Sequence, residues 1–136
     1  MSDCIFCRIV SGDIPSRRVY ENDRAITVMD IRPVSRGHLI VMPKQHSRDL
    51  TEMGEEDAVG VLSAVRTAAG AAVKATGAEG FNLIVNSGAA AGQVIFHTHL
   101  HVIPRFAGDG LRHWPETEAS DQELDELAIM IRDELE

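Results

Sequence analysis

The chain has 136 residues, 44% hydrophobic and 25% charged, enough for one domain whose folding removes roughly two thirds of the unfolded surface from water. Its formal net charge of -8 works against a polyanionic partner such as nucleic acid, which draws on clustered Lys and Arg. No apolar run approaches the ~20 residues that span a bilayer and Met1-Ser2-Asp3 opens no targeting segment, so the chain reads as soluble and cytoplasmic, without a membrane partner.

Cys4-Ile5-Phe6-Cys7 is the first informative stretch. Its cysteines are too close to staple a fold together, which agrees with a reducing compartment. A redox pair of this spacing ordinarily follows a strand and opens a helix, but only three residues precede this one, which argues against thioredoxin-like chemistry. As metal ligands the pair needs two more donors, because structural zinc sites are closed and four-coordinate, and the candidates are His46 and His97. Residues 5–14 suit a short helix with Ile5, Phe6 and Ile9 as an apolar patch, before Gly12 and Pro15 end it.

Residues 18–21 and 25–29 read as a hairpin turned by Asn22-Asp23, since β-branched residues alternate there between turn formers. Asp30 closes the second strand ahead of the loop 31–37, where its carboxylate can cap the loop or accept both hydroxyls of a ribose. Residues 38–42 form a continuous apolar run after His38, as expected of a central strand buried on both faces. A helix is predicted over 55–76, with an acidic first turn and Gly77 as its stop, and a further strand over 81–86. The loop 87–92 carries two glycines, so its backbone can approach a ligand closely and offer N–H groups to phosphate oxygens.

Residues 93–105 are predicted as a strand that puts Val94, Phe96, Thr98, Leu100 and Val102 on one face and His97, His99 and His101 on the other. Alternate residues lie ~6–7 Å apart, so neighbouring histidines can share a phosphate-sized ligand, whereas His97 and His101 are too far apart to hold one metal ion. Beyond Arg105 the chain is irregular until Ser120-Asp121-Gln122-Glu123, a capping box that opens a last helix. Its stripe of Leu124, Leu127, Ala128, Ile131 and Leu135 is expected to pack on the domain or on a dimer mate.

The run His97-Thr98-His99-Leu100-His101-Val102-Ile103 resembles the signature of the histidine triad (HIT) superfamily, with Thr98 its one slightly polar substitution. Asn86-Ser87-Gly88, then Gly92-Gln93 and the triad, is similar to the Hint-like branch, which often has serine where this chain has Val94. The expected fold is α+β, an antiparallel sheet of about five strands with helices on one face. The resemblance implies a HIT domain over residues 1–115, a C-terminal helical extension of the same domain over 116–136, and a homodimer sharing a ten-stranded sheet. It further implies structural zinc on Cys4, Cys7, His46 and His97, as in some prokaryotic members.

The same resemblance implies a purine nucleotide site: Ile5, Phe6, Ile9 and Ile31 against base and ribose, Asp30 on the ribose hydroxyls, and Asn86, Gly92, Gln93 and His101 around the phosphate. His99 is the implied nucleophile, with His97, His101 and His38 completing the catalytic group. A neutral His99, aligned by a hydrogen bond from its other nitrogen to a backbone carbonyl, attacks the α-phosphorus to give a nucleotidyl-histidine that water resolves. The expected activity is a nucleoside phosphoramidase releasing AMP. Other readings are a dinucleotide polyphosphate hydrolase, a zinc hydrolase with an open metal position, and a non-catalytic AMP-binding module. His113-Trp114-Pro115 resembles a segment that covers the neighbouring subunit's site, or is a plain surface loop.

Overall fold

The computed structural model describes residues 3–135; Met1 and Ser2, part of the start read for a targeting segment, and Glu136 lie outside the described residues. Along the chain run α1 (Ile5–Ser11), β1 (Arg18–Glu21), β2 (Ala25–Met29), β3 (Leu39–Pro43), α2 (Glu55–Thr76), β4 (Gly80–Val85), a 3-10 turn (Ala89–Ala91), β5 (Leu100–Arg105) and α3 (Asp121–Glu134). The strands form one antiparallel sheet in the order β1-β2-β3-β5-β4. This is the α+β class with a five-stranded sheet that the sequence implies. The β1–β2 turn is closed by Asn22, whose Oδ1 accepts the N–H groups of Arg24 and Ala25 at 2.9 Å each.

β3 is buried along its whole length, as an unbroken apolar run requires. Alternation divides its side chains between two cores. Leu39 and Val41 join Ala25, Leu100, Val102 and the Val61, Ala64, Val65 and Ala68 face of α2. Ile40 and Met42 join Ile26, Val28 and Phe6 of α1. Helix α2 therefore lies on one face of the sheet and α1 on the other, which corrects the expectation of helices on one face. The reason is Phe6: burying such a ring is worth about 2–3 kcal/mol, and the face left bare by α2 is where it finds cover. α1 stops at Ser11 because Gly12, at φ 89°, caps it and donates its N–H to the Ile9 carbonyl at 3.1 Å.

α2 runs to Thr76 as predicted, where Gly77 at φ 73° donates its N–H to the Val73 carbonyl. By length and composition α2 is apolar enough to cross a membrane, a property it shares with core helices, and its alanine-rich face is buried on the sheet.

Two expectations change near the C-terminus. The strand predicted over 93–105 is regular only from Leu100. Ahead of it the Thr98 N–H donates to the Ser47 carbonyl at 2.8 Å and the two hydroxyls are 2.7 Å apart, bonds to the segment that follows β3 which replace the ladder. Val94, 84% exposed, and Phe96 consequently miss the core. α3 is capped by Ser120, whose Oγ accepts the Glu123 N–H, yet it buries no residue against its own chain, and Leu124, Leu127, Ile131 and Leu135 are exposed.

Gly37 sits at φ 89° just before His38, and a Cβ there would lie 2.8 Å from Thr76 Cγ2 and 3.3 Å from Pro104 Cγ. Replacing Gly37 by Ala should cost about 2 kcal/mol through backbone strain and contact. Urea unfolding should show a lower midpoint at unchanged slope, and an unmoved midpoint would contradict this packing.

Candidate functional site

The α1 face of the sheet carries the histidines. His101 stands opposite Ile40 of β3 and Ile84 of β4, so its side chain shares their face, away from α2. His99 and His101 ring centres are 5.1 Å apart, and Phe6 meets the His99 ring edge-on at 4.9 Å. That spacing suits a phosphate-sized group between the two imidazoles. The opposite face holds an apolar cavity of about 270 Å³ between α2 and β1, lined by Val19, Met29, Leu39, Ala68 and Ala72, with none of the site histidines.

His99 is buried, and its Nδ1 lies 2.7 Å from the His97 carbonyl oxygen. A carbonyl can only accept, so Nδ1 carries the proton and Nε2 the lone pair. Burial lowers the pKa of His99, opposed by that hydrogen bond and by the Asp30 charge. The imidazole is thus held neutral, one tautomer fixed, as a nucleophile requires.

Behind His101 stands His38, 2% exposed, with its Nε2 2.9 Å from His101 Nδ1 and its Nδ1 accepting the Val34 N–H at 3.0 Å. Burial lowers the pKa of His38, and burial with the neighbouring His99 and His38 brings His101 down to about 4. Asp30 caps its loop through Oδ1, which accepts the Arg32 N–H at 2.7 Å. Its other oxygen faces His38 Nε2 at 3.4 Å and His101 Nδ1 at 3.9 Å.

The glycine loop is braced from within. Gln93, 4% exposed, accepts the Gly88 N–H through Oε1 and donates from Nε2 to the carbonyls of Arg48 and Ile95. The N–H groups of Gly92 and Gln93 go to the carbonyls of Ala89 and Gly88. Gly92, at φ 97°, faces the Asn86 carboxamide, 3.8 Å from where a Cβ would stand. Of the apolar candidates, Phe6 touches the His97 and His99 rings and Ile9 packs beside it, while Ile5 and Ile31 are exposed. Pro43, Arg48 and Val34 enter through carbonyl and amide groups that residue identity does not advertise, and Ser47 through both its carbonyl and its hydroxyl.

Cys4, Cys7, His46 and His97 converge, their ligand atoms all within 4.8 Å of one another. Sulfur-to-nitrogen distances are 3.4 Å for Cys4–His97 and 3.5 Å for Cys7–His46 and Cys7–His97, and the two Nδ1 atoms are 3.2 Å apart. Tetrahedral zinc with ordinary bond lengths needs edges of about 3.5 Å for S···N and about 3.3 Å for N···N, so these residues fit the ion. His97 donates from Nε2 to the Pro43 carbonyl at 2.9 Å, which leaves its Nδ1 lone pair aimed into the cluster.

An antiparallel sheet presenting imidazoles in a His-x-His-x-His run, with the middle ring held neutral, defines a histidine triad domain. The HIT domain profile matches residues 11–108, and the chain belongs to that family. Adenylylsulfatase HINT3 of Arabidopsis thaliana is 46% identical over 110 residues, which are 81% of this chain but only 56% of that protein's length. Adenosine 5'-monophosphoramidase hnt1 of Schizosaccharomyces pombe is 38% identical over 75% of this chain and 74% of its own. Among solved structures, SMU.412c from Streptococcus mutans is 41% identical with a TM-score of 0.94, covering 100% of this chain and 87% of that one. A Zn-bound histidine triad family protein from Mycobacterium smegmatis is 42% identical with a TM-score of 0.76, covering 98% of each chain.

An unfolded histidine takes its proton near 6.5, whereas His101 in the folded chain takes it only at about 4. Between these values the unfolded state binds the extra proton, so stability is lost as pH falls from about 6.5 towards about 4, by an amount on the order of 3 kcal/mol. Denaturation midpoints measured across that window should fall with acidification, and His101→Asn should flatten the slope. Identical slopes would contradict the buried, neutral imidazole.

Proposed function

We propose that this protein is a hydrolase acting at the α-phosphate of a purine nucleotide, most closely an adenosine phosphoramidase that releases AMP. The His99 Nε2 lone pair attacks the α-phosphorus, the bond from phosphorus to the leaving nitrogen breaks, and that nitrogen departs with the electron pair. Water then attacks the nucleotidyl-histidine, freeing AMP and restoring the imidazole. His101 donates a hydrogen bond to a non-bridging oxygen, where charge builds up. The observation that carries the reading is the Nδ1 bond to the His97 carbonyl, which reserves Nε2 for attack.

In this reading Asp30 takes the ribose hydroxyls through Oδ2, and Ile5, Phe6, Ile9 and Ile31 flank the base. Asn86, Gly92 and Gln93 shape the phosphate loop, Gln93 as its brace. The names of the two curated relatives support it, since an adenylylsulfatase and a monophosphoramidase keep the AMP half and differ in what leaves. The first of them also favours a second reading with sulfate as leaving group, which shares the His99 step.

A structural zinc ion on Cys4, Cys7, His46 and His97 belongs to the proposal, supported by the ligand geometry and the Zn-bound neighbour. When bound it would tie the start of α1 to the segment before β5 and activate no water, because four protein ligands close its coordination. A homodimer is supported by the edge strand β4, with Phe81 and Leu83 exposed, and by the exposed stripe of α3 and Trp114. Two thiols placed as zinc ligands suit a cytoplasmic, reducing setting.

His99→Ala should keep its circular dichroism and melting profile while kcat for AMP release from an adenosine phosphoramidate falls by about a thousandfold or more. Turnover within tenfold of the parent would end this assignment. Metal analysis of the purified protein should find one zinc per chain, lost in Cys7→Ser together with several degrees of thermal stability. A Cys7→Ser protein that kept full metal content would remove the four-ligand site.

A further inference from the structure

We infer that His38 is a positioning residue that fixes the tautomer of His101, so that His101 presents an N–H at Nε2 to the phosphoryl group and retains that proton through the reaction. The first half stands on geometry alone; the second rests on the reading of His99 as nucleophile.

The chain of bonds begins at a backbone amide. Val34 N–H can only donate, and it points at His38 Nδ1 from 3.0 Å, so that nitrogen is bare. A neutral, buried imidazole holds one proton, which must then sit on Nε2. Nε2 is 2.9 Å from His101 Nδ1, against 3.4 Å from Asp30 Oδ2, so the better acceptor is His101. His101 Nδ1 is therefore an acceptor too, and Asp30 Oδ2 is too distant, at 3.9 Å, to draw a proton onto it. The one proton of His101 is left at Nε2, on the side of the ring away from His38.

The backbone holds His38 to this task. Asp30 N–H donates to the His38 carbonyl at 3.0 Å, and His38 N–H donates to the Ser35 carbonyl at 3.2 Å. The loop between β2 and β3 is thereby clamped at both ends around the Val34 amide, with Gly37 at φ 89° making the turn. Asp30, His38 and His101 are also close enough to be taken for a cation site. The tautomer rules this out, because the His38 nitrogen that would ligate carries the proton and the other is engaged by Val34.

A consequence for the chemistry follows from proton balance. If neutral His101 gave its Nε2 proton to a leaving group, it would become an imidazolate unless His38 passed one on. His38 has only an amide N–H behind it, which supplies none. So His101 acts as a hydrogen-bond donor and not as an acid, and the leaving atom, departing with the electron pair, takes its proton from water. Val94, 84% exposed, puts no hydroxyl at its position to substitute for that acid.

Two-bond nitrogen–proton correlation spectra of the full-length, 15N-histidine-labelled protein at neutral pH report each ring's tautomer directly. His38 and His101 should both show the Nε2–H pattern without averaging; an Nδ1–H or averaged pattern for His101 would overturn the inference. His38→Phe keeps the bulk and removes the donor, so His101 should average between tautomers and kcat should fall about tenfold, while His38→Gln, with an amide N–H, should recover part of both. If His38→Phe does not fold, the parent spectrum decides alone. Single-turnover rates for adenosine phosphoramidates of graded amine basicity should fall about threefold or more for each unit of leaving-group pKa. A flat series would overturn the retained proton. Failure to trap a nucleotide on His99 would instead overturn the proposed reaction and leave the spectral result standing.

Discussion

One hydrogen bond organises the site: His99 Nδ1–H to the His97 carbonyl, at 2.7 Å. The side chain of the same residue, His97, turns the other way, with Nε2 on the Pro43 carbonyl and Nδ1 among Cys4, Cys7 and His46. A single buried residue thus joins the end of β3, the start of α1 and the reactive imidazole. Leaving the buried Nδ1–H of His99 without a partner would cost about 1–3 kcal/mol, and it would free the ring to present either nitrogen. Thr98, tied to Ser47, keeps the peptide between the two histidines out of the sheet ladder and so makes the geometry possible.

The two faces of the sheet divide the labour. The α2 face is built of Ala, Val and Leu and carries stability. The α1 face buries imidazoles, which lowers the pKa of His38, His97, His99 and His101 alike. Burial keeps the nucleophile unprotonated at neutral pH, and the same desolvation makes acid a threat to the fold. Function and acid sensitivity have one cause here.

Local chemistry made much of this legible in the sequence. The Asn22-Asp23 turn, the apolar run of β3, the Gly77 stop of α2 and the Ser120 cap of α3 each follow from a few neighbouring residues. The convergence of Cys4, Cys7, His46 and His97, implied by family resemblance, is present in the fold. What sequence could not give were partners far along the chain that act through backbone carbonyls: Ser47 for Thr98, Arg48 for Gln93, Pro43 for His97. The same blindness extended the predicted strand back to residue 93, since alternation of side chains says nothing about where ladder bonds stop. Phe6 likewise read as part of a patch, and only the packing reveals that it lies on the face opposite α2.

The claim at the centre is that His99, oriented by the His97 carbonyl, takes the nucleotide onto its own ring. Rapid mixing with an adenosine phosphoramidate, an alkaline quench that preserves phosphorus–nitrogen bonds, and peptide mass spectrometry test it most directly. An adenylyl group should appear on the peptide containing His99 within one turnover and decay as AMP is released. Turnover with no adduct, or with the adduct on another residue, would contradict the account.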